Sequence, residues 1–118
     1  MKSIVYWRVF VNSTKEPKVK KLLAPLLDIL GESACVEKQE TYWKDNALTD
    51  VNITQPIELQ NIESEIFEVL KTSSLISNNW NLILPEGLSN TTGTVLSAVA
   101  DNTSMNGIAW VSFDVVNE

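Results

Sequence analysis

A nearly unbroken run of β-branched and aromatic residues from Ser3 to Asn12 predicts a β-strand. Val5, Trp7, Val9 and Val11 fall on one side and Ile4, Tyr6, Arg8 and Phe10 on the other. Both sides are largely apolar, as in a central strand, but Arg8 marks the second side as only partly covered. Ser13-Thr-Lys-Glu16 then has capping-box spacing, and Pro17 suits a first helical turn. Val19, Leu22, Leu23, Leu26, Leu27 and Leu30 follow at helical intervals, and Gly31 supplies a stop. Pro25 inside this stretch removes one backbone hydrogen bond and predicts a kink near Lys21.

Ser33–Trp43 reads as a weaker strand, with Ala34, Val36 and Tyr42 on one side and Glu37, Gln39 and Thr41 on the other. Lys44-Asp-Asn-Ala47 is a turn, and Leu48–Thr54 returns as the second arm of a hairpin with Val51 and Ile53 inward. Gln55-Pro56 is expected to break it. Asn61 is placed to cap a second helix, with Glu63 and Glu65 in its first turn, Lys71 in its last, and Ile62, Ile66, Val69 and Leu70 as its apolar stripe. A short strand is expected at Trp80–Leu84, stopped by Pro85-Glu-Gly87. Thr94–Ala100 fits either a strand or a short helix. Asn106-Gly107 signals a tight turn before a final strand, Ile108–Val116. In that strand Ala109, Val111, Phe113 and Val115 are expected on one side, and Ile108, Trp110, Ser112 and Asp114 on the other.

The order is β-α-β-β-α-β with one or two extra C-terminal strands. The predicted class is α+β: an antiparallel sheet with two helices on one face, a ferredoxin-like sandwich or a variant of it. The uncovered face of such a sheet would carry Tyr6, Arg8 and Phe10. The 118 residues suit one domain, and 44% hydrophobic with 20% charged residues is ordinary globular composition. No stretch reaches the roughly 18 apolar residues of a membrane helix, and the N-terminus does not read as a signal peptide. These features place the chain in the cytosol. The lone Cys35 fits a reducing compartment and is expected to be a packed side chain. The four Asn-x-Ser/Thr sequons then read as chance products of an Asn-, Ser- and Thr-rich chain.

Charge changes the picture. Residues 1–44 hold eight Lys and Arg against five Asp and Glu, whereas residues 45–118 hold only Lys71 against ten acids. A chain of net charge −6 and pI 4.6 lacks the basic footprint of a nucleic-acid binder. The third-strand aromatics with which an RNA-recognition motif stacks bases are also missing from Leu48–Ile53. Acidity of this kind favours a basic partner.

There is no histidine, so the commonest general base and metal ligand is gone. Glutamates three apart, Glu65 with Glu68 and Glu37 with Glu40, are the remaining chemical candidates, and no third ligand or Gly-rich loop converges on them. No cofactor, metal or catalytic role is expected. The candidate partner-binding residues are Asp45, Asp50, Glu58, Glu63, Glu65 and Glu68, forming one negative edge for a basic protein.

In small size, acidity, the early Tyr6-Trp7 strand, the late Trp110-Val-Ser-Phe113 strand and the missing catalytic groups, the chain resembles bacterial toxin-immunity proteins of the contact-dependent growth inhibition type. That resemblance covers the whole length without a specific motif. It implies a non-catalytic inhibitor that neutralises one cognate toxin, a nuclease being the best fit to an acidic inhibitor, by occluding its basic surface. The alternative is a small ferredoxin-like ligand-binding or regulatory domain, homodimeric through its open sheet.

Overall fold

The computed structural model describes residues 2–83 and 93–117. Its elements are β1 (Lys2–Val11), α1 (Glu16–Leu30), β2 (Cys35–Thr41), β3 (Thr49–Glu58), α2 (Ile62–Ser74), β4 (Trp80–Ile83), β5 (Thr94–Ala100) and β6 (Ile108–Asn117). The six strands form one antiparallel sheet in the order β2-β3-β1-β6-β5-β4.

The α+β class and the first five elements follow the sequence pattern, but the strand order departs from a simple β-α-β-β-α-β sandwich. There the strand after α2 would lie beside β1. Here β6 takes that place, pairing from Ser3 opposite Asn117 to Val11 opposite Ile108, and β4 and β5 are added outside it. β6 suits an inner position because it is long and heavily apolar, whereas β4 has four residues, mostly exposed. Thr94–Ala100 is a strand, as its β-branched and small residues allow. Leu84 and the Pro85-Glu-Gly87 stop lie outside the described residues.

The core fills the face of the sheet where Val5, Trp7, Val9, Val11, Val51, Ile53, Leu96, Ala98, Val111, Phe113 and Val115 point. Val19, Leu23, Leu26 and Leu30 of α1 and Val69 of α2 pack onto it. Trp7 and Phe113 meet in a tilted pair at 5.1 Å, and Trp80 meets Phe113 at 5.2 Å. Ile108 belongs to this core, contrary to simple alternation. A register shift between Phe10 and Val11 turns it to the same side as Val111.

Other local expectations change for stated reasons. Ser13 does not close a capping box: the N-cap is Lys15, with no side-chain bond, and the Ser13 hydroxyl accepts from Lys15 N–H instead. α1 runs through Pro25 to Leu30. β3 runs through Gln55-Pro56 to Glu58; past Thr54 only β1 still pairs with it, so one side of β3 has no ladder for a proline to interrupt. Cys35 is exposed rather than packed, because β2 is an edge strand and is exposed throughout. Among the described residues, no helix is long and apolar enough to cross a membrane.

Candidate functional site

The six carboxylates singled out from the sequence do not form one edge. Glu65 is fully buried. Its Oε1 accepts a 2.5 Å hydrogen bond from the Ser3 hydroxyl and its Oε2 a 3.0 Å bond from Leu59 N–H. Burial pushes its pKa up, but the bonds from Leu59 N–H and from Ser3 outweigh that, and the net shift is downward. Its position in the first turn of α2, capped by Asn61 accepting from Ser64 N–H, favours the charged form as well. Glu65 is therefore an internal tether between α2 and β1, not a contact residue. No pattern of polar and apolar positions separates it from Glu63, because its partner lies 62 residues away.

Asp50 is buried too, but on the face of the sheet away from the helices. Arg8 grips it with two bonds, Nε to Oδ1 at 3.1 Å and Nη2 to Oδ2 at 2.8 Å, and Asn52 adds a third at 3.3 Å. The Asp50 bonds hold the Arg8 pKa above its ordinary value against the opposing effect of burial. Asp45 remains exposed, but its Oδ1 accepts from Ala47 N–H and so shapes the β2–β3 turn. The ten residues of β3, about 30 Å of extended chain, separate that turn from Glu58. Glu63 and Glu68 are exposed on α2, five residues apart and thus about 140° apart around its axis.

What the fold does bring together is Glu58 and Glu68. Both line a cleft of about 340 Å³ between the end of β3, the C-terminal turn of α1 and the middle of α2. Its apolar lining includes Ile29, Ile57, Leu59 and Val69. Gln55 also lines it, locked in place: its Oε1 accepts from Trp7 Nε1 at 3.1 Å, and its Nε2 donates to Leu30 O at 2.6 Å and to the Ser33 hydroxyl at 3.1 Å. Among the described residues the ion pairs are Arg8–Asp50 and Lys38–Glu40, and Glu58, which lies opposite Lys2 in the β1–β3 register, and Glu68 are in neither. Apolar walls lined also by two acidic residues suit a lysine or arginine side chain, whose stem is apolar and whose head is a charged donor.

The opposite face of the sheet holds Tyr6, Arg8 and Phe10, and neither helix covers it. Tyr6 is 41% exposed, whereas Phe10 is covered by two stacked rings, Tyr42 at 4.4 Å and Trp110 at 4.8 Å. Trp110 is thus part of this open-face stack and not of the core. The Arg8 guanidinium lies over Phe10 at 5.0 Å and over Tyr42 at 5.7 Å, and Lys44 lies over Trp43, which is 80% exposed. Tyr42 and Trp43 follow an edge strand, and only the three-dimensional register shows that Tyr42 reaches Phe10, with Trp43 edge-on to Tyr42 at 6.2 Å. Among the described residues, no group of three side chains is placed to hold a metal ion. Comparison with protein-family models, with curated proteins and with solved structures finds no match.

Proposed function

We propose that this chain is a non-catalytic protein-binding inhibitor whose partner is a basic protein, and that a lysine or arginine of that partner enters the cleft between Glu58 and Glu68. The observation that carries this reading is one apolar-walled cleft lined by both Glu58 and Glu68, neither of them in an ion pair among the described residues, in a strongly acidic molecule. A nuclease toxin domain, which needs a basic cleft to hold phosphates, is the partner that fits best. Its neutralisation requires only that the basic cleft be filled, which matches the resemblance to immunity proteins. The contact is narrower than an acidic edge: Asp50 and Glu65 take no part, and Asp45 and Glu63 act only at long range.

The test is capture from the native cells with the whole chain as bait, beside a Glu58→Gln/Glu68→Gln bait. The expected result is a stoichiometric basic partner on the first bait that is strongly depleted on the second. Equal capture on both baits, or a partner without a basic surface, would sink the assignment.

A further inference from the structure

We infer that the open face of the sheet is a self-association surface, on which two copies of this chain meet face to face across a two-fold axis. Three independent observations lead there.

The first is size. Six strands at about 4.8 Å spacing, with about seven residues each in the sheet, present a face of roughly 600–700 Å². The ledge made by Tyr42 and Trp43 extends it. A stable two-fold interface buries about 800 Å² on each partner, so a second copy of the same sheet matches the available area.

The second is composition. Aromatic residues and arginine are enriched in the anchoring parts of protein interfaces. This face presents Tyr6, Tyr42, Trp43 and Trp110 around Arg8, with Trp43 80% exposed and Tyr6 41% exposed. Ring stacking and the two-bond Arg8–Asp50 clamp fix the group before any partner arrives, so little side-chain freedom remains to be lost on docking.

The third is charge. A molecule of net charge −6 repels its own copy over most of its surface. Both ion pairs among the described residues, Arg8–Asp50 and Lys38–Glu40, involve side chains of this face, and Lys44 lies over Trp43 beside them. Asp114, opposite Tyr6, is held by the Ser97 hydroxyl. Around Phe10 the negative charge is therefore compensated, which is where two acidic molecules can approach. A basic partner finds little here to recognise, whereas a second copy finds the same aromatic surface with its ion pairs already formed.

Sedimentation equilibrium of the whole chain, from low micromolar to near millimolar and at low and high salt, tests the proposal. The expected result is a rise towards twice the 13.2 kDa chain mass, with tighter association in added salt, which screens the mutual repulsion. Tyr6→Glu and Trp43→Glu each place a carboxylate on the face and should weaken association on the order of tenfold or more. Glu68→Gln, on the other side of the molecule, should leave it unchanged. Trp43 is exposed enough that its substitution does not threaten folding. A monomer at every concentration, or a dimer indifferent to both face variants, overturns the proposal. So does an open face covered by a different protein while the chain itself stays monomeric.

Discussion

Glu65 shows how one side chain can change sides in a functional argument. From its neighbours it reads as a helix-surface acid. In the folded chain it is buried, bonded to Ser3 and Leu59 N–H, and carries a lowered pKa. A carboxyl whose folded pKa is depressed adds stability that is fully present above its unfolded value, near 4.5, and is lost as pH falls through the folded value. Glu65→Gln should therefore lower stability at neutral pH by about 1–3 kcal/mol, the cost of weakening a buried charged hydrogen-bond set. It should also flatten the loss of stability below that pH. Denaturant melts of both proteins from neutral to strongly acid pH check this, and parallel curves would mean that Glu65 is not the titrating tether. Arg8 is the converse case. Its position on the second side of β1 was legible from alternation alone, but Asp50 as its partner was not, because that pairing depends on the β1–β3 register.

Among the elements, most of what repetition can encode was legible. The β-branched and aromatic run of β1, the leucine face of α1, the Asn61 cap and the inward Val51 and Ile53 all stand where periodicity and capping rules place them. What was not legible depends on neighbours far away in sequence. Ser13 lost its cap role because the helix starts after Lys15, β3 ran on through Pro56, and Ile108 turned inward at a register shift. The candidate site divides in the same way: the open-face residues of β1 were readable from period two, whereas the Glu58–Glu68 cleft arises only when β3, α1 and α2 assemble. Two substitutions probe the elements directly. Pro25 deprives α1 of one backbone bond while lying exposed, so Pro25→Ala should stabilise the protein by about 1–3 kcal/mol, read as a higher melting temperature. Gly107 has φ +77°, and an added Cβ would stand 2.5 Å from Leu22 Cδ1. Gly107→Ala should cost about 1–3 kcal/mol. In a Leu22→Ala background part of that penalty should disappear, because the collision is removed while the backbone strain remains. Full additivity of the two changes would contradict the close approach.

For the whole molecule, charge and shape divide the labour between two sides. In the proposed complex with a basic partner, net charge would act at long range and accelerate encounter, whereas the cleft would act only at contact. Glu58→Lys/Glu68→Lys changes both and should slow association with the captured partner, flatten its salt dependence and speed dissociation. Glu63→Lys, away from the cleft, should slow association with little effect on dissociation. Stopped-flow mixing over a range of ionic strength separates the two, and identical dissociation rates would remove the cleft from the interface.

The place of β6 beside β1 has a consequence for biosynthesis. β1 leaves the ribosome before every other strand of the sheet, yet one of its two neighbours is residues 108–117. Until those residues emerge, Val5, Trp7 and Val9 lie in a strand with one flank unzipped, and nascent chains must stay soluble without a closed sheet. The final ladder thus forms after nearly all of these residues have been synthesised, and a ribosome stalled before Ile108 would hold a half-built, adhesive sheet for nascent-chain chaperones to shield.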